Sequence, residues 1–174
     1  MHQSQRLFVR SPEENRKLME VARGKRPAHL IIKNARVLNV YTGELLENQT
    51  VAVWDRWIAY SGEDSASRVG DETQVMDVSG RTVIPGLMDG HAHMTWLAAP
   101  EAILPYAMAG GTTTIVTEIL EPYFVNGLAG VLDFLESTRD QPVKILATAP
   151  AMVSICEAAR GISPEDLSTL LDRE

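Results

Sequence analysis

Val83-Ile84-Pro85-Gly86-Leu87-Met88-Asp89-Gly90-His91-Ala92-His93-Met94 opens on apolar and β-branched residues and closes on two histidines one residue apart. The run has the length and composition of a short buried strand. Side chains on a strand alternate faces, so His91 and His93 point the same way, about 7 Å apart along the chain. Two imidazoles at that spacing can reach one metal ion or two neighbouring ones. Asp89, two residues earlier on the same face, is placed to orient an imidazole through its second ring nitrogen. A bare His-x-His is a weak signal, because short motifs match by chance. Here the apolar strand, the Pro85-Gly86 pair, the aspartate and the small-residue-rich segment that follows turn it into an expected metal site.

Upstream, the chain has the period of strands. His29-Leu30-Ile31-Ile32-Lys33-Asn34-Ala35-Arg36-Val37-Leu38-Asn39-Val40 is β-rich, with an Asn-Ala turn signal in its middle. Thr50 to Trp54, Ile58 to Gly62 and Thr73 to Val78 read as further strands. Turns at Tyr41-Thr42-Gly43-Glu44, Asp55-Arg56-Trp57 and Ser79-Gly80-Arg81 separate them. Short strands at this spacing predict a small β-sandwich or open barrel over residues 28–84. Before it, Ser11-Pro12-Glu13-Glu14 sets an N-cap, a proline at the first helical position and acids in the first turn. Leu18, Met19, Val21 and Ala22 continue it as an apolar stripe, predicting a helix over 12–23 inside an N-terminal lead-in of residues 1–27. His29 reads as a structural or surface histidine, and Trp54 and Trp57 as core or interface.

Downstream, the pattern changes. Residues 97–109 are rich in Ala, Leu and Met and predict a helix that Pro100 and Pro105 start or kink. Gly110-Gly111 feeds a β-branched strand over 112–117, Gly127 to Thr138 carries helix-period apolars, and Pro142 to Ala149 is another strand. Ser163-Pro164-Glu165-Asp166-Leu167 opens a capped helix. Strand and helix in alternation predict a parallel sheet over residues 85–174.

The 174 residues carry a net charge of −7, which argues against nucleic-acid or anionic-membrane binding through bulk electrostatics. The single cysteine, Cys156, excludes an intramolecular disulfide and fits a reducing compartment. Met1-His2-Gln3-Ser4-Gln5-Arg6 lacks the apolar core of a signal peptide, and no apolar run approaches a membrane span. A cytoplasmic location is expected.

Pro85-Gly86-Leu87-Met88-Asp89-Gly90-His91-Ala92-His93 resembles the first-strand signature of the amidohydrolase superfamily of metal-dependent hydrolases. Within it, the chain is similar to the N-terminal part of the adenine deaminase family. Arg23 to Ala35, Val37-Leu38-Asn39-Val40-Tyr41-Thr42-Gly43-Glu44, Gly110-Gly111-Thr112-Thr113-Thr114 and Ser163-Pro164-Glu165-Asp166-Leu167 each resemble a segment of that family. The resemblance implies a mixed α/β chain: a β-sandwich followed by the first βα units of a TIM-type (β/α)₈ barrel. It implies metal ligation by His91 and His93. Two departures stand out. The family follows its His-x-His with an acidic residue and two serines, where this chain has Met94-Thr95-Trp96-Leu97. The family's Asp-Pro-His-Glu segment is replaced here by Glu118-Ile119-Leu120-Glu121. The family's further ligands and its catalytic Asp fall past residue 174, and a (β/α)₈ barrel needs roughly 200 residues or more, so the chain is expected to be a fragment of a longer protein with an incomplete barrel.

The expected reaction, in the complete protein, is hydrolytic deamination of adenine to hypoxanthine and ammonia, or of a related purine-like base, assisted by one or two divalent ions. Zinc, iron and manganese all suit imidazole and oxygen donors. Glu118 and Glu121 are the acids at a nearby strand end and the candidates for proton transfer. Two rivals remain: a cyclic amide hydrolase of dihydroorotase or dihydropyrimidinase type, and a non-catalytic binding or oligomerisation module. An unfinished barrel is expected to cover its open edges in a homo-oligomer.

Overall fold

The computed structural model describes residues 10–63, 66–96, 98–149 and 161–172. Cys156 and Met1-His2-Gln3-Ser4-Gln5-Arg6 lie outside them. The chain divides into two compact units, Met1–Pro85 and Gly86–Glu174.

In the first unit, α1 spans Pro12–Ala22. Ser11 Oγ accepts the Glu14 N–H at 3.2 Å while the Glu14 carboxylate accepts the Ser11 N–H at 2.7 Å, so two otherwise orphaned donors are satisfied reciprocally. At the other end, Arg68 donates from Nη2 to the Ala22 carbonyl at 2.7 Å, placing a cation on the helix C-terminus. The same guanidinium lies 3.5 Å over the Tyr60 ring. Val21 is fully buried in a cluster with Ala28, Ile31 and Ala52, against which Trp54, Ala59 and Tyr60 pack. The helix read as a lead-in therefore supplies part of this unit's core.

Strand β1 (Leu30–Leu38) is the centre of the sheet. It runs antiparallel to β2 (Leu45–Trp54), which pairs in turn with β3 (Trp57–Gly62). On its other edge, Leu30 to Lys33 pair in parallel with β4 (Gln74–Asp77), and Arg36 and Val37 with β5 (Thr82–Val83). The β1–β2 register slips twice, once by an extra residue on each strand. Asn34 (φ 58°) and Asn48 (φ 53°) sit in those slips, in the left-handed region that asparagine tolerates. The Asn34-Ala35 turn signal is thus spent on a bulge, and the strand continues through it. Among the described residues the unit holds one mixed five-stranded sheet, where a sandwich or open barrel was expected. The reason is that β4 and β5 return to the free edge of β1 instead of forming a second layer.

His29 accepts the Asp55 N–H on Nδ1 at 2.9 Å and tilts against Trp54, a structural role at the β2–β3 turn. Trp57 lies beneath the Arg10 and Arg56 guanidinium groups.

The second unit runs β6 (Leu87–Ala92), a 3₁₀ turn (Met94–Trp96), α2 (Pro100–Ala109), β7 (Thr112–Glu118), α3 (Leu120–Ser137), β8 (Lys144–Thr148) and α4 (Pro164–Leu171). The three strands are parallel in the order β6-β7-β8. Pro100 opens α2 and Pro105 sits inside it. α3 begins seven residues before the expected Gly127 and is broken there, with Asn126 and Gly127 (φ 58°) out of helical geometry. Met94, Leu104, Ile115 and Val143 form one core cluster; Ile119, Val131 and Phe134 form another, against which Ala147 and Leu170 pack. β6 departs from its expected burial: Leu87 to His91 are exposed. Among the described residues β6 pairs with β7 alone, so it is an edge strand with one side open. No helix among the described residues is long and apolar enough to cross a membrane.

Candidate metal centre

The histidines lie where β6 runs out. Asp89 pairs with Ile115 and Ala92 with Thr117, so three steps along β6 face two along β7. That bulge at Gly90-His91 interrupts the alternation on which the shared face of Asp89 and His91 rested. Asp89 Oδ1 instead accepts the backbone N–H of His91 at 3.1 Å, bracing the main chain of the bulge.

The two rings meet edge to face, with centroids 5.2 Å apart and planes at 73°. Each imidazole turns Nδ1 toward a different carboxylate. His93 Nδ1 is 2.5 Å from Glu121 Oε1, and the Thr95 hydroxyl donates to the other oxygen of that carboxylate at 3.4 Å. Glu121 sits in the first turn of α3, where a carboxylate is favoured by the helix N-terminus. His91 Nδ1 is 3.9 Å from Glu118 Oε1, an ion-pair distance too long for a direct hydrogen bond. Glu118 ends β7. Both acids expected from the sequence therefore reach the histidine pair, one for each ring. The indole of Trp96 lies 4.6 Å from the His93 ring, tilted 31°, and is itself 70% exposed.

An ionised carboxylate only accepts hydrogen bonds. A neutral His93 that donates from Nδ1 to an ionised Glu121 would leave its Nε2 lone pair available, the arrangement in which metal-ligating histidines are held. Among the described residues, no three His, Cys, Asp or Glu side chains converge into a ready-made cation cage. Two adjacent imidazoles backed by carboxylates nevertheless fit two positions of a divalent ion that takes nitrogen and oxygen donors.

Beneath the histidines, Thr117 is fully buried, with Oγ1 3.1 Å from the Ala92 carbonyl and 3.3 Å from the Met94 nitrogen. The sequence shows Thr95 and Trp96 only as departures from the family pattern, with no role assigned, and does not mark Thr117 at all. Thr117 is hidden in a run of β-branched strand residues, and Thr95 and Trp96 stand where the family pattern has other residues. No local signal marks Thr117, because β7 carries four threonines and Thr114 is buried as well.

No model of a protein family matches the chain. Among curated proteins, it is 38% identical over 168 residues to the adenine deaminase of Moorella thermoacetica, covering 91% of this chain and 27% of that protein. It is 34% identical over 168 residues to the adenine deaminase of Ruegeria sp. strain TM1040, covering 94% and 28%. It thus spans about a quarter of the length of the curated relatives it matches. Among solved structures, a variant of the atrazine chlorohydrolase TrzN from Arthrobacter aurescens TC1, complexed with zinc and atraton, superposes with a TM-score of 0.61 at 17% identity, covering 81% of this chain and 41% of that one. The β-aspartyl dipeptidase of Fervidobacterium islandicum AW-1 superposes at 0.53 and 22% identity, covering 69% and 33%. At these identities the structures share a fold with this chain. The sequence matches go further: the chain belongs to the adenine deaminase family, corresponding to a segment about a quarter of its relatives' length.

Proposed function

We propose that the complete protein hydrolytically deaminates adenine, or a related purine-like base, at a divalent metal held in part by His91 and His93. The observation that carries this reading is the histidine pair at the C-terminal end of a strand opening a parallel βαβ sheet, with a carboxylate against each ring. In this reading residues 85–174 begin a TIM-type barrel, residues 28–84 are the small β domain and residues 1–27 lead into it. Catalytic residues at the C-terminal ends of barrel strands are the rule for that architecture.

A divalent ion, when bound, lowers the pKa of water and so supplies a nucleophile at neutral pH. The chain's own residues divide the remaining work. His91 and His93 offer ring nitrogens to the ion. Glu121, tied to His93 and Thr95, holds one ring in place, and Asp89 braces the bulge that presents the other. Glu118 is the less constrained carboxylate. Deamination adds water at the amine-bearing carbon and expels ammonia, so a proton must pass to the departing nitrogen. Glu118 is placed to carry it. We take the metal to be zinc, iron or manganese, the location cytoplasmic and the assembly homo-oligomeric.

The test is a substrate panel on the complete protein loaded with each metal. Ammonia release from adenine or a related purine supports the proposal. Ring opening of dihydroorotate or dihydrouracil, with no ammonia from any purine, would assign it to cyclic amide hydrolysis instead.

A further inference from the structure

We propose that Thr117 is a positioning residue for the histidine pair, its buried hydroxyl clasping the backbone on both sides of His93. The inference rests on His91 and His93 being the ligands proposed above. The β6–β7 ladder ends at the pair Ala92–Thr117, so the strand's own pairing stops one residue short of His93. From that point the threonine side chain takes over. Its oxygen lies 3.1 Å from the Ala92 carbonyl and 3.3 Å from the Met94 nitrogen. A hydroxyl has one proton to donate and can accept as well. It can therefore donate to Ala92 and accept from Met94, closing a short loop with His93 at its apex. The Glu118 carbonyl, 3.1 Å away, is a second acceptor for the same proton. The clasp thus spans the end of the strand that carries the histidines and the end of the strand that carries the acid facing His91.

Strand propensity alone does not account for a threonine here. Valine has the same shape and β preference, and the neighbours Met94 and Ile115 are core residues. A hydroxyl fully buried beside them is unfavourable unless it is bonded. Its bonds go to the two residues that flank the proposed ligand, and the branched Cβ restricts χ1 so that the oxygen is held in place. Outer-shell partners of this kind typically change metal affinity by about 10- to 100-fold when removed.

The experiment compares Thr117→Val, which keeps the shape and deletes the hydroxyl, with Thr117→Ser, which keeps the hydroxyl. Both are made in the 174-residue chain and read in two ways. The first is amide hydrogen exchange of the metal-free protein at Ala92 to Trp96; the second is a zinc titration followed at the histidine ring nitrogens. The valine variant is expected to exchange the Met94 amide roughly tenfold faster or more and to bind zinc about 10- to 100-fold more weakly, with core methyl signals unchanged. The serine variant is expected to stay within about threefold of the parent on both. A valine variant matching the parent, or a serine variant as impaired as valine, would overturn the proposal. So would an unprotected Met94 amide in the parent, a result that stands even if the valine chain does not fold. A parent that takes up no zinc removes the metal reading, while the exchange comparison still decides whether the clasp exists.

Discussion

Val21→Ala tests whether the N-terminal helix is structural. Val21 is fully buried against Ala28, Ile31 and Ala52, whereas Met19, two residues earlier on the same helix, is 60% exposed. Truncation to alanine removes two methyl groups from water-free surroundings, worth about 1.6 kcal/mol at roughly 0.8 kcal/mol each. The residual cavity adds up to about another 1 kcal/mol, less whatever the site recovers by collapsing. The expected loss is therefore about 1.5–2.5 kcal/mol, or roughly 6–20 °C in melting temperature for a unit of this size. Met19→Ala is expected to cost less than about 0.5 kcal/mol, as an exposed change does. The assay is urea unfolding followed by tryptophan fluorescence, since Trp54 packs against the same cluster. A Val21→Ala loss no larger than that of Met19→Ala would refute the reasoning and return the helix to the status of a lead-in.

Three further outcomes follow from the geometry. The Ser79 hydroxyl and N–H hold the Asp77 carboxyl below its ordinary value of 3.8, with Asn34 and Lys33 adding to the effect. A carboxyl lowered by folding stabilises above its unfolded pKa, and that contribution is lost as pH falls through the folded value. Carboxyl NMR should therefore show Asp77 titrating below 3.8, and Ser79→Ala should move its midpoint upward; an unmoved midpoint would contradict the hydrogen-bonding cause. Gly86→Ala would place a Cβ 2.7 Å from Thr113 Cβ, so the second unit should lose about 1–3 kcal/mol in thermal or urea melts. Glu121→Gln keeps the shape of the side chain but removes the charge behind His93, and should weaken zinc binding about 10- to 100-fold in a direct titration.

Much of the fold was legible because local signals and tertiary structure agree. Ser11 and Glu14 announce α1, and the structure uses both; Ser163 does the same for α4, accepting the Asp166 N–H. The alternation of β-branched strands with apolar helical stretches gave the parallel βαβ order directly. What was not legible depends on long-range pairing. Nothing local to Gln74–Asp77 tells it to lie parallel to β1, and that choice separates one mixed sheet from a sandwich. The burial of β6 was misread for the same reason, since an apolar run reports that a strand can be covered and not what covers it.

At the site, residue types were readable and their contacts only partly so. His91, His93, Glu118 and Glu121 do come together. Asp89 was assigned by period-2 alternation, which holds only in an unbroken ladder, and the bulge at Gly90-His91 redirected its carboxylate to the backbone. Thr117 could not be separated by propensity from its β-branched neighbours. Only the position of its oxygen between Ala92 and Met94 distinguishes it.

The central claim is that His91 and His93 bind one metal centre, and ring-nitrogen NMR of the 174-residue chain during a zinc titration tests it most directly. The account predicts that the Nε2 signals of His91 and His93 shift together while His29, whose Nδ1 is engaged with the Asp55 N–H, stays in place. It also predicts that His91→Ala with His93→Ala abolishes the response. Zinc that leaves both rings unmoved, or binds equally well to the double variant, would contradict it.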